Sequence, residues 1–132
     1  MAKLAEAREA PEITEFVFDL KPSELASELT AIYTRPIVAL IARVSSTKVV
    51  AGWEKGDEIA PKRDQGLRLA LQTACIIKTR FDDAVVRAWI VGMNARLDDR
   101  APGEIIGEII SGTSPATRGR DILAAARAFV NR

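Results

Sequence analysis

From Pro22 onward, apolar side chains recur at helical spacing. Leu25, Leu29 and Ile32 fall at i, i+4 and i+7, and Pro22 suits a first helical turn, so a helix is expected from about Pro22 to Tyr33. Thr34-Arg35-Pro36 starts a second, with Ile37, Leu40, Ile41 and Val44 along one side, and Val44-Ser45-Ser46 interrupts it. Ser46 is a good N-cap for a short third helix that turns Val49, Val50 and Trp53 inward and ends at Gly56. After a loop over Asp57–Pro61, residues 62–79 read as a longer helix burying Leu67, Leu71, Ala74, Cys75 and Ile77. Asp82 or Asp83 caps the next, which carries Val85, Val86, Trp89, Ile90 and Met93. Pro102 opens a helix with Ile105, Ile106, Ile109 and Ile110, stopped by Ser111-Gly112. Ser114-Pro115 starts the last, with Ile122, Leu123, Ala126, Phe129 and Val130 inside.

The N-terminal stretch is less decided. Residues 1–12 are rich in Ala and Glu and read as a frayed helix or a disordered arm; Ile13–Leu20 is too apolar to float free and packs as a strand-like arm or a short helix. The fold class is therefore all-α: a compact bundle of seven short helices, with an arm over 1–21, a helix-turn-helix region over 22–80 and a small helical interaction unit over 81–132. A chain of 132 residues, 48% hydrophobic and 28% charged, can bury such a core without disulfides or a metal.

Charge and absences narrow the chemistry. The net charge of +1 divides into −4 over residues 1–34, +5 over 35–80 and 0 over 81–132, a distribution that suggests one surface facing an anion. With no histidine, Ser-His-Asp and Cys-His arrangements and histidine-bound metals are excluded, and glycine-rich phosphate loops are absent. Asp82-Asp83 and Asp98-Asp99 are explained by capping and solvation. No enzyme, cofactor or metal is expected. The single Cys75, inside an apolar run, reads as a buried structural thiol in a reducing compartment. No stretch approaches the ~18–20 apolar residues of a membrane span, and Met1-Ala2-Lys3-Leu4-Ala5-Glu6 turns charged too early for a secretory signal. A cytoplasmic protein is expected.

The run Ser45-Ser46-Thr47-Lys48-Val49-Val50-Ala51-Gly52-Trp53-Glu54-Lys55-Gly56 has the features of a recognition helix: short, apolar within, polar without. Ser46, Thr47, Lys48, Ala51, Gly52 and Lys55 face outward. Thr47 and Lys48 suit base edges or phosphates, while small Ala51 and Gly52 let a nucleic-acid backbone approach. Arg43, Lys55, Lys62 and Arg63 are placed to neutralise flanking phosphates. This run resembles the Xre/Cro-like helix-turn-helix, in which a Val-Ser turn leads to a helix closing in Trp-Glu-x-Gly, here Trp53-Glu54-Lys55-Gly56. Val44 stands where that family prefers glycine, preceded by Arg43.

A second resemblance covers about residues 82–130. Val86-Arg87-Ala88-Trp89-Ile90, Asn94-Ala95-Arg96-Leu97 and Arg100-Ala101-Pro102-Gly103-Glu104-Ile105-Ile106 are similar to the toxin-binding domain of the Xre/MbcA/ParS antitoxins, with Asp99 in place of a usual glycine and Ile105-Ile106 in place of a leucine pair. On the residues alone, Trp89 anchors a core, Asn94 holds its own turn, and Arg100 ties the loop to helix-end carbonyls. The resemblance implies a partner, a toxin of the NAD⁺-consuming RES class, which Arg118, Arg120, Arg127 and Arg132 are placed to meet. The expected function is that of a type II antitoxin that binds double-stranded operator DNA as a homodimer and neutralises its toxin. The rivals are an Xre-like regulator or phage repressor without a toxin, and an interaction module that no longer binds DNA.

Overall fold

The structure, a computed structural model, describes residues 10–132, and over them the chain is all-helical. Its elements are α1 (Ala10–Asp19), α2 (Pro22–Tyr33), α3 (Arg35–Ala42), α4 (Thr47–Glu54), α5 (Pro61–Lys78), α6 (Asp83–Val91), a 3₁₀ turn (Ala95–Leu97), α7 (Pro102–Ser111) and α8 (Arg118–Val130). The expectation for residues 1–9 lies outside the described residues.

The seven expected helices are present, and their starts follow the punctuation of the sequence. Proline occupies the first turn of α2, α3, α5 and α7, where its missing N–H has no partner to lose. The Ser46 hydroxyl accepts from the Lys48 N–H at 3.0 Å, and Asp82, not Asp83, caps α6 by accepting from the Val85 N–H at 3.1 Å. Gly112 ends α7 in the left-handed conformation. The last helix begins later than its sequence suggests: Pro115–Thr117 form a turn, and α8 opens at Arg118.

The open question at Ile13–Leu20 resolves as helix. In α1, Ile13 and Val17 are four apart and fully buried, and the helix lies against α5. It is tied down by the nearly buried Arg68 of α5, whose guanidinium donates to the Val17 carbonyl at 2.8 Å and to the Asp64 carboxylate at 2.7 Å.

α5 is the central post, packed against α1, α2, α3, α6, α7 and α8. Its sides are accordingly apolar or small almost all round, from Gly66 to Ile77. Tyr33 from α2 is fully buried against it and donates its hydroxyl to the Ala70 carbonyl at 2.7 Å; burial raises the phenol's pKa. Cys75 is buried as expected, and the same desolvation pushes its thiol up to about 12.

Three predicted inward residues face out. Leu40 on α3 is 68% exposed, Val49 on α4 is 38% exposed, and Met93 beyond α6 is 83% exposed. In α3 the buried residues are Val38, Ala39, Ile41 and Ala42, because this short helix packs against α2, α4, α5 and α7. No single helix among the described residues is long and apolar enough to cross a membrane.

Candidate nucleic-acid interface

Two short helices, α3 and α4, are joined by Arg43–Ser46. The path is set at both ends by unusual backbone. The chain bends by 117° between α2 and α3, and the residue between them, Thr34, has φ 76° and ψ 154°, a region that side-chain-bearing residues rarely enter. Arg43, which ends α3, is left-handed at φ 59° and ψ 45°. The glycine-like turn conformation therefore sits at Arg43, one residue before Val44, where counting back from Trp53 had put it.

α4 is held from below and behind. Val50 and Trp53 are buried in the core, with Ser46 capping the N-terminus. Glu54 accepts two bonds from Arg35, at 2.8 and 3.1 Å, and one from the Thr30 hydroxyl at 3.1 Å, which fixes the far end of α4 to α2 and α3. The Arg35 guanidinium holds the Glu54 carboxyl below the usual carboxylate range. Within Trp53-Glu54-Lys55-Gly56 three residues thus serve the fold: Trp53 anchors, Glu54 clamps, and Gly56 turns the chain at φ 111°.

The outward face of α4 carries Thr47 and Lys48, both exposed, with exposed Lys55 two turns on from Lys48. Ser46 and Ala51 are half-buried. Gly52 is a correction. A Cβ there would collide with the Asp57 carboxylate, and the Asp57 N–H donates to the Gly52 carbonyl at 2.9 Å. Its missing side chain makes room for the chain's own loop.

The basic residues of 35–80 divide in two. Arg35 is bound to Glu54, Arg68 to Asp64 and Val17, Lys78 to Asp83, and Arg80 donates to the carbonyls of Val130 and Arg132. Arg63 is also committed: its Nε donates to the Ala42 carbonyl at 3.0 Å, closing the C-terminal end of α3 rather than facing a phosphate. Among the described residues, Arg43, Lys48, Lys55 and Lys62 form no hydrogen bond or ion pair through their charged ends. Arg43 leans on α7, where a Cβ at Gly107 would lie 2.7 Å from its Nε, and its charge reaches Glu108.

In the C-terminal part, the segment after α6 closes on itself through Asn94, whose side chain accepts from the Arg96 N–H at 2.9 Å and whose backbone N–H donates to the Arg100 carbonyl at 3.2 Å. Asp98 and Asp99 are both left-handed, at φ 57° and 60°. Arg100 binds the carboxylates of Glu104 and Glu108, not helix-end carbonyls as expected, and together with the Ser114 hydroxyl it draws Glu108 down to about 2. Trp89 is only half-buried. With Phe129, Met93, Arg96 and Arg132 it lines an open cleft of about 550 Å³ between α6 and the end of α8.

The four arginines of the tail are not one patch. Arg120 and Arg127, two turns apart, share the exposed side of α8. Arg118 is half-buried and pairs with Asp121 at 3.2 Å, and Arg132 lies over the Phe129 ring at 5.1 Å. Comparison with family models, with curated proteins and with solved structures finds no match to this chain.

Proposed function

We propose that this chain is an antitoxin-type repressor. In this reading α4 enters the major groove of operator DNA, and the helices from α6 to α8 hold a cognate toxin of the RES class. One observation carries the DNA half. Of the nine basic side chains between residues 35 and 80, the four whose charged ends have no partner among the described residues are all in the segment 43–62 that contains α4 and its flanks. A charge that serves the fold is bonded within it; a charge left in solvent beside a capped, anchored, outward-facing helix is free to neutralise phosphate. Thr47 and Lys48 at the exposed start of α4 are chemically suited to reading base edges.

Support for the toxin half is the backbone of the loop before α7. Asp99 occupies the position where the resembling antitoxins carry glycine, and it adopts the left-handed conformation a glycine would supply, which Asp tolerates better than most residues. Pro102 then opens α7 in the place the resemblance requires.

DNA from upstream of the chain's own reading frame, titrated by fluorescence anisotropy over a salt series, tests the first half. Three to four free cations per subunit give a slope of log K against log salt of about −2.7 to −3.6 per subunit bound. A flat response refutes DNA binding. Co-expression with the product of an adjacent RES-type reading frame tests the second half: NAD⁺ levels and growth are expected to recover, and continued NAD⁺ loss refutes it.

A further inference from the structure

Cationic and apolar surface meet in the open cleft of about 550 Å³ between α6 and the end of α8. Trp89 and Phe129 line it with their rings tilted at 42° and centroids 6.3 Å apart, and Met93, 83% exposed, lines it too. Its two charged residues are both arginines, Arg96 and Arg132, and both are exposed. Among the described residues neither guanidinium has a hydrogen bond or an ion pair. That of Arg132 lies over the Phe129 ring at 5.1 Å, and Arg80 binds its backbone carbonyl, not its charge. No carboxylate side chain lines the cleft: Asp98 and Asp99, close to Arg96 in sequence, stand outside it. We propose that the cleft is a docking site for an acidic peptide segment of a partner protein. The segment lays a large apolar side chain against Trp89, Met93 and Phe129 and sets its carboxylates on Arg96 and Arg132.

Three features select this occupant. The first is charge. Two unpaired cations with no acid in the lining repel a basic segment and attract an acidic one. The ring beneath Arg132 already orders its guanidinium, so less freedom is lost when a carboxylate binds. The second is the apolar surface between the charges. Met93 is large, exposed and adaptable, and a purely charged segment would leave it and the aromatic rings in water. The third is shape. Small ligands sit in pockets that enclose most of their surface, whereas this cleft is open and suits a segment held on both sides by the rest of its own chain. Single-stranded nucleic acid is also anionic, but it needs free stacking faces and a track of cations. Here Trp89 is half-buried against Phe129, and the cations are two. The site lies on α6 and α8, away from α4, and goes beyond the proposed function: it requires neither an operator nor a toxin.

Trp89 supplies the readout. The chain's other tryptophan, Trp53, is buried beneath α4, so a change in tryptophan fluorescence on titration reports the cleft. The probe is a capped peptide of sequence EDEFLDE, added to the full chain. Saturable binding in the micromolar to submillimolar range is expected, weakened by salt. The basic counterpart KRKFLKR should not bind, and EDEGGDE, without the apolar anchor, should bind about tenfold more weakly. Arg96→Glu, Arg132→Glu and Met93→Asp should each raise the dissociation constant at least about fivefold. Their helical circular dichroism should be unchanged, because all three side chains lie in solvent. Leu40→Asp and Lys48→Glu, exposed on other faces, should leave the affinity as it is. No saturation below about 1 mM, equal binding of the basic or the anchor-free peptide, or affinity that survives Arg96→Glu combined with Arg132→Glu overturns the proposal. So does oligothymidine that quenches Trp89 at lower concentration than the peptide. Peptide binding without DNA binding or toxin neutralisation sinks the proposed function and leaves this site standing, and the opposite result does the reverse.

Discussion

Lys48→Glu separates binding from folding because its two effects have opposite signs. Lys48 is exposed, in the first turn of α4, and its side chain contacts no acid among the described residues. The N-terminus of a helix carries partial positive charge, so a lysine there is unfavourable and a glutamate favourable. The exchange should stabilise the fold by about 0.3–1 kcal/mol, raising Tm by about 1–4 °C for a chain of this size. At the DNA the same exchange removes one contact and adds a repulsion. The loss is at least about 1–3 kcal/mol, a five- to 150-fold weaker complex, with the salt slope shallower by about one per subunit. Trp53→Ala is the converse perturbation. It empties a fully packed site beneath α4, costs about 3–5 kcal/mol, and should weaken binding only as far as it unfolds the protein. Calorimetry and anisotropy on the same preparations give both quantities. A Lys48→Glu protein that is as stable or more stable and still binds DNA with unchanged affinity and slope would refute the assignment of the α4 outer face.

Other consequences follow from the strained and buried groups. Thr34→Gly should stabilise by about 0.5–2 kcal/mol, the difference between a strained backbone costing about 1–3 kcal/mol and the extra unfolded freedom of glycine, about 0.5–1 kcal/mol; a lower midpoint in urea would show that the Thr34 side chain itself matters. Glu108 has its pKa lowered to about 2 by Arg100 and Ser114, so its contribution to stability is full above the unfolded carboxylate value and is lost as pH falls from about 4.5 to about 2. Glu108→Gln should flatten that acid limb, and an unchanged pH profile of urea midpoints would disprove the link. Cys75, buried with its thiol pushed up to about 12, should react with a thiol reagent only at the rate of unfolding, and fast labelling of the native chain would contradict its packing.

How much of this was legible depends on whether a local rule decides the matter. Most helix starts were, since Pro22, Pro36 and Pro102, the cap Ser46 and the pair Asp82-Asp83 act within one turn of themselves; Pro61, expected in a loop, opens α5, and α8 starts three residues after Pro115. The conformation of Ile13–Leu20 was not, because a short apolar run has no period long enough to distinguish strand from helix, and contact with α5 decides it. Nor could spacing choose between the neighbours Val49 and Val50, only 100° apart on a helix; the core takes Val50 and leaves Val49 in solvent. Leu40 misleads for a further reason. Its i+3 and i+4 relations to Ile37, Ile41 and Val44 are those of an inward face, yet α3 is enclosed by α2, α4 and α7 on its other sides.

The candidate interface shows where sequence charge stops being informative. The sum of +5 over residues 35–80 counts Arg63 and Lys62 alike, though one is closing the carbonyl end of α3 and the other is in solvent. Both looked equally fit for phosphate because adjacent positions carry the same charge, and only the fold decides which meets a carbonyl 21 residues away. Gly52 fails in the same way: its missing side chain is explained by Asp57, which reaches it only after the chain has turned at Gly56. What survives this sorting is narrower than the sequence proposed and physically stronger. A cation with an internal partner must give up that bond before it can meet a phosphate, whereas Lys48 and Lys55 give up only water. Under the proposed function the burden of recognition therefore falls on the start and the end of α4, and the Glu54 clamp fixes this helix to α2 and α3.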